Sequence, residues 1–515
     1  MRAGHRALRR ALRSAVLCAG AGALLAGCAV GPDYRRPDVA TPAAYKENRD
    51  WHPARPADAL DRGPWWKLFG DPQLDALIAQ VNLSNQTLKA AAAQYQQARA
   101  LVESARSALF PTLGLNAAAA RAGGGTATAR GGSTGNTVSL AAGASWEPDL
   151  WGKLRGAAEA QTRSAQASAA ELAAATLSAQ GQLAQSYFTL RQVDAERQLY
   201  ADTIAAFQQS LQLTQNQYVA GFAAQADVVA AQTQLKTAQA SAINLGVQRA
   251  QLEHAIALLV GQPASNFSIA ADPLANVPPP PVPVAGLPSQ LLERRPDIAA
   301  AERQVAAANA QIGVARAAYF PALTLIGQAG YQGAALAGLI SAPNLFWSIG
   351  PQLALTLFDG GARDAQNRQA RAAYDQQVAQ YRQTVLAGFQ EVEDALAALR
   401  ILEQQSTVQD EALAAARESV RLTLNQYKGG VVSYINVISA QATELATARN
   451  TVALLGSRYV ASVQLVQALG GGWSDTELPN ADAVDAGRDS NTAAGSDDGV
   501  ASDSAHRPAA SRSIK

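Results

Sequence analysis

Ile204, Phe207, Leu211, Thr214 and Tyr218 fall at steps of three and four residues, and Leu413, Ala416, Val420, Thr423 and Tyr427 repeat those steps 209 residues later (427 − 218 = 209). That spacing predicts a coiled-coil seam near the end of two long helices. Helical texture without internal proline runs from Lys153 to about Tyr218 and from Ala362 to Lys428, with return helices from Gln225 to Val260 and from Val432 to Leu469. At the helical rise the first would be about 100 Å long. Shorter helices are expected from Pro72 to about Ala108 and from Ser289 to Ala317, each followed by a Phe-Pro pair, Phe110-Pro111 and Phe320-Pro321, that stops it. Between the short and long helices, residues 112–121, 136–149, 322–332 and 345–358 read as strands, the first pair separated by a stretch dense in Gly, Ser and Thr.

The motifs repeat with the elements. Asn216-Gln217-Tyr218-x-x-Gly221 returns as Asn425-Gln426-Tyr427-x-x-Gly430, and Asp227-Val228-x-x-Ala231-Gln232 as Asn436-Val437-x-x-Ala440-Gln441. This period is far too long for a solenoid, so it marks an internal two-fold repeat. The organisation expected is a strap at 28–71 and a first repeat at 72–261, with strands about 112–149 and a hairpin tip near 218–225. A Pro-rich linker at 262–288 leads to a second repeat at 289–470, with strands about 322–358 and a tip near 427–432. Residues 471–515, rich in Asp, Ser, Ala and Gly, read as a disordered tail.

The N-terminus changes the compartment. Five arginines precede an apolar run from Ala15 to Gly27 that is too short to span a bilayer, which reads as a signal peptide at residues 1–27. Leu24-Leu25-Ala26-Gly27-Cys28 resembles a bacterial lipobox, making Cys28 the lipidation site, and Ala29 rather than Asp after it resembles an outer-membrane address. Loss of the five arginines takes the formal net charge from +1 to −4, and nothing in the chain suggests nucleic acid as a partner. Cys18 leaves with the signal and Cys28 is acylated, so no thiol pair remains for a disulfide.

Four strands do not close a barrel in lipid, where open edges are forbidden and the smallest bacterial barrels have eight. Three chains sharing one barrel would give twelve strands and two would give eight. Leu353-x-Leu355-x-Leu357 is compatible with one lipid face and one lumen face. A small soluble β-subdomain is the other reading of the same segments.

Several stretches resemble the TolC-like outer membrane factors, in their lipoprotein NodT-type efflux channel branch. Cys28-Ala29-Val30-Gly31-Pro32-Asp33-Tyr34 resembles the mature start, and Trp65-Trp66-Lys67-Leu68-Phe69 precedes Asp71-Pro72-x-Leu74 as it does there. Trp146-Glu147-x-Asp149-Leu150-x-Gly152-Lys153-x-Arg155 resembles the turn from strand into long helix. Gly286-Leu287-Pro288-Ser289-x-Leu291-Leu292-x-Arg294-Arg295-Pro296-Asp297-Ile298 is the most specific match. The resemblance covers about residues 28–470 and implies an α+β membrane protein. In that fold a homotrimeric 12-stranded outer-membrane β-barrel, four strands per chain, continues as a long α-helical coiled-coil tunnel in the periplasm.

The resemblance further implies an outer-membrane exit duct of a tripartite efflux system, conducting solutes passively. Its partners would be a periplasmic adaptor, an inner-membrane transporter and outer-membrane lipid, and its only covalent group the diacylglycerol and N-acyl chain on Cys28. The tips would meet the adaptor through Gly221, Gly430 and Val431. An acid at Asp227 and the phenol of Tyr427 would hydrogen-bond to hold a closed iris. Val432 stands where the family has an arginine, and Asn436 and Ser439 where some relatives place aspartate rings. With Ile435 they imply a more hydrophobic gate. No cofactor, metal site or enzyme activity is expected, since no phosphate loop, nucleophile elbow or HExxH motif occurs and His52, His254 and His506 stand alone. Glu391, Glu393 and Asp394 read as a solvated acidic face. A lipidated periplasmic coiled-coil adaptor is the alternative function, and drug, metal-ion and protein export are not separated.

Overall fold

The computed structural model describes residues 30–48, 64–123, 134–274 and 288–485. Cys28, the signal segment, the Pro278–Pro281 run and the chain beyond Asp485 lie outside them. In order, the first half comprises α1 (Pro72–Ser84), α2 (Gln86–Ser107), β1 (Thr112–Gly123), β2 (Thr134–Trp146), α3 (Lys153–Val219) and α4 (Gln225–Leu259). The second comprises α5 (Pro296–Ala317), β3 (Ala322–Gly333), β4 (Leu345–Ala354), α6 (Ala362–Lys428) and α7 (Tyr434–Ala468), and a last turn, α8 (Ala481–Asp485), follows. Corresponding helices are equally long: α2 and α5 have 22 residues, α3 and α6 have 67, α4 and α7 have 35.

The long helices start where the sequence pattern predicts, and the local chemistry explains why. Gly152 and Gly361 precede them with φ of 76° and 91°, a left-handed turn that redirects the chain from sheet to helix. Asp149 accepts from the amides of Leu154 and Arg155 at 3.1 and 2.9 Å, and Asp359 from those of Gly361 and Arg363 at 2.9 and 3.2 Å. Each carboxylate satisfies amides that a helix start leaves without partners.

Three expectations are corrected. The helix read from Pro72 to Ala108 breaks at Asn85, whose side chain caps α2 at Leu88 and donates to the Leu259 carbonyl at 2.7 Å. The polar bond between α2 and the end of α4 replaces a continuous helix. Likewise the tail is ordered through Asp485: Val484 is buried beside Val102 and Ala165, and Gln166 donates to the Pro479 carbonyl at 3.0 Å. The helix from Ser289 is also interrupted at Arg295, because Pro296 disfavours helical backbone before it.

The core sits where the helices overlap. Trp65, Phe69, Leu74 and Ile78 pack on Tyr187 and Phe188 of α3 and Tyr459 of α7, with Phe188 stacked on Tyr459 at 4.7 Å. Beneath them the buried Arg191 donates to Tyr187 Oη, to Gln73 Oε1 and to the Asp272 carbonyl, while Tyr187 donates to Asp71 at 2.5 Å. Ile269 and Leu274 join this core, so the first part of the linker is packed.

The strap is extended and pinned to the second half. Val30 donates to the Trp151 carbonyl at the base of the sheet, Arg36 donates to Tyr381 Oη, and Tyr45 is buried against α6. Gly31 passes Gly313 so closely that a Cβ there would lie 3.2 Å from its Cα. Of the acidic patch, Glu391 and Asp394 are exposed as expected, and Glu393 is the correction. Glu393 accepts the amides of Lys46 and Glu47 at 2.7 and 3.0 Å, and Glu391 pairs with the buried Arg295 at 2.6 Å. Backbone amides of a strap that belongs to no sheet need acceptors, and the carboxylate supplies them.

Candidate functional site

Each pair of long helices reverses at a tip built the same way. At the first, the amides of Gly221 and Phe222 donate to the carbonyls of Tyr218 and Gln217; at the second, those of Gly430 and Val431 donate to Tyr427 and Gln426. Gly221 and Gly430 have φ of 80° and 73°, with nothing within 4 Å of where a Cβ would stand. Backbone conformation rather than space therefore requires glycine at both. Beside them, Phe222 is 87 % exposed and Val431 76 %. The signal in the sequence for Phe222 is an apolar residue directly after a helix-stopping glycine, and Phe222 is absent from the residues expected to dock.

The predicted gate residues do not all meet. Ile435, Asn436 and Ser439 share the exposed face of the first turns of α7. Asp227 accepts from the Ala224 amide at 3.2 Å and so closes the first turn of its own helix. Tyr427 is buried against Tyr434, ring centroids 5.1 Å apart, in a cluster with Ala231 and Val437. Its hydroxyl lies toward Thr214 and Asp227 but completes a hydrogen bond with neither. The expected Asp227–Tyr427 hydrogen bond is thus not made within the chain. Burial, and then the charge of Asp227, pushes the Tyr427 hydroxyl above its ordinary pKa.

At the other end the strands form one antiparallel sheet, ordered β1-β2-β3-β4, with the outer sides of β1 and β4 unpaired within the chain. The register sorts the side chains into two faces. One row runs Leu115, Ala142, Ala329 and Trp347; the next runs Leu113, Ala144, Gly327 and Ile349. Leu113 is 84 % exposed and Ile349 80 %. The opposite face carries Thr112, Ser145, Gln328, Ser348 and Gln352 among small residues. At the base, Trp151 stacks on Phe320 at 4.8 Å and donates to the Pro321 carbonyl, tying the two halves together. No described helix is long and apolar enough to cross a membrane, and no described group of three His, Cys, Asp or Glu is placed to hold a metal ion.

Residues 77–262 and 287–471 match the family model described as outer membrane efflux protein. The chain is 30 % identical over 456 residues to the cation efflux system protein CusC of Escherichia coli, covering 87 % of this chain and 96 % of that one. It is 30 % identical to the probable efflux pump outer membrane protein TtgC of Pseudomonas putida, over 87 % of this chain and 94 % of that one. It is 31 % identical to the pyoverdine export outer membrane protein OpmQ of Pseudomonas aeruginosa, over 87 % and 95 %. Among solved structures it is similar to the outer-membrane channel OprN, with a TM-score of 0.79 at 29 % identity over 87 % of this chain and all of that one. The open state of the Neisseria gonorrhoeae MtrE outer membrane channel gives a TM-score of 0.76 at 28 % identity, over 86 % and 98 %.

Proposed function

Since the chain belongs to the outer membrane efflux protein family, we infer that it is the outer-membrane exit duct of a tripartite efflux system. The family is one of channels rather than enzymes, and its place is the outer membrane. One observation carries the reading at the level of this chain: a sheet with an apolar face, a polar face and two open edges continues directly into helices of 67 residues. The apolar face belongs in lipid, and the open edges call for further strands. A periplasmic adaptor would leave that apolar face in water, where a patch of this size is a liability.

Three copies closing one barrel would supply twelve strands, with the long helices of each copy forming the tunnel below. Duplication supports this closure, because a chain of two similar halves packs half against half both within and between copies. Cys28 would carry the acyl chains two residues before Val30, whose amide is held at the base of the sheet. The adaptor would meet the tips at Gly221, Gly430 and Val431, with Phe222 as the larger apolar contact. Ile435, Asn436 and Ser439 would line the constriction, and an inner-membrane transporter would supply the energy. The test is native mass spectrometry of the detergent-extracted membrane fraction. Three chains, each carrying one acylated terminus, are expected; a soluble single chain would reject the shared barrel.

A further inference from the structure

Relatives of nearly equal similarity are named for cations and for pyoverdine, so likeness does not choose a cargo, whereas the sheet's own chemistry bears on it. Arg121 is the one charged residue in the four described strands, and the register puts it opposite Asn136 in the same face as Leu113 and Leu115. The other face of the described strands therefore bears no charge. Its side chains are amides, hydroxyls and alanine methyls, with Ile326 and Phe346 as the two large apolar members. Gly114 and Gly143 lie beside Gln328 in one rung, and nothing stands within 4 Å of the place a Cβ would take on either, so the wall is recessed there.

At the helical end α7 carries no charged residue from Tyr434 until Glu444, which lies 4.0 Å from Arg417, but the exposed Lys428 and the Asp227 carboxylate stand at the tips, so the neutral stretch is the membrane end. Resting on the exit-duct reading above, we propose that the membrane end of the duct is a charge-neutral conduit lined by the Gln328, Gln332 and Gln352 amides. It passes organic solutes, including neutral and amphipathic ones, without selecting cations over anions. A pore selects by charge when rings of one sign line a low-dielectric wall and concentrate the counter-ion. Here the ring positions are filled by groups that offer hydrogen bonds to either sign, and the apolar pair accommodates the hydrocarbon part of an amphipathic solute.

The experiment uses the full-length channel in planar bilayers under a KCl gradient, with Gln328→Cys modified after insertion so that charge is added to a folded barrel. The unmodified channel is expected to show a cation-to-anion permeability ratio within about twofold of unity, where a charged ring would give about tenfold or more. An anionic thiol reagent should raise the ratio and a cationic one should lower it, with the wild-type channel unaffected by both. An unmodified ratio above about tenfold that the cationic reagent does not reduce would overturn the neutral conduit. Reagents of both signs leaving the ratio unchanged would overturn it too, since the face would then not line the path. Absence of channels from every preparation would instead overturn the exit-duct reading.

Discussion

The two helical tips share a motif and a turn but not an environment. Tyr427 is 5 % exposed and its counterpart Tyr218 is 45 % exposed. Gln441 is buried and donates to Ser210 at 3.0 Å, while the counterparts Gln232 and Ser419 are both exposed. Leu213 packs against the tip cluster, whereas its counterpart Leu422 lies open. In each pair the buried set is formed by the second half's α6 and α7 against the first half's α3 and α4. The exposed set is what that same packing would use against another copy. On the shared-barrel reading, exposure here marks a missing neighbour rather than a divergent sequence.

Breaking the buried side should have the largest effect. Tyr427→Ala removes a buried aromatic ring and should cost about 3–5 kcal/mol, read as a lowered Tm, whereas Tyr218→Ala should leave the fold within about 0.5 kcal/mol. Tyr218→Ala should instead weaken the assembly, seen as loss of the trimer in native mass spectrometry. Equal thermal shifts in both variants would break the comparison.

Asp227→Ala tests a smaller term. Its carboxylate closes the first turn of α4, so its loss should cost about 1 kcal/mol and raise amide exchange near Ala224, loosening the tip and raising single-channel conductance. Unchanged exchange with raised conductance would restore the direct latch to Tyr427. The smallest effect belongs to Tyr427→Phe. A buried hydroxyl without a partner contributes little or costs stability, so this variant should be neutral or more stable by up to about 1 kcal/mol, with conductance unchanged. A conductance rise equal to that of Asp227→Ala would contradict the unbonded hydroxyl.

What the sequence disclosed follows the range of the forces involved. The starts of α3 and α6, the stops at Phe110-Pro111 and Phe320-Pro321, and the glycines of both tips were legible because each rests on chemistry within a few residues. Asn85 was not legible as a break because only part of its role is local: its oxygen caps Leu88, but its amide is held by the Leu259 carbonyl, 174 residues away. Glu393 looked solvated because its partners are amides of the strap, 346 or more residues earlier. The ordered turn at Val484 depends on a pocket formed by α2 and α3. At the candidate site, the resemblance pointed to Asp227 and Tyr427 as a pair, but the contact of Asp227 with the Ala224 amide and the lack of one with Tyr427 are visible only in three dimensions. Phe222 lacked any counterpart of its own size, since Val431 occupies the matching position.

The most direct test of half-on-half closure is cross-linking of Gln232→Cys with Ser419→Cys by a short bismaleimide in isolated outer membranes, with Gln441→Cys and Ser210→Cys as the within-chain reference. Packing of copies in the manner of the two halves predicts products of two and three linked chains for the first pair and none beyond one chain for the second. Single chains alone from the first pair, with the reference pair still linked, would contradict it.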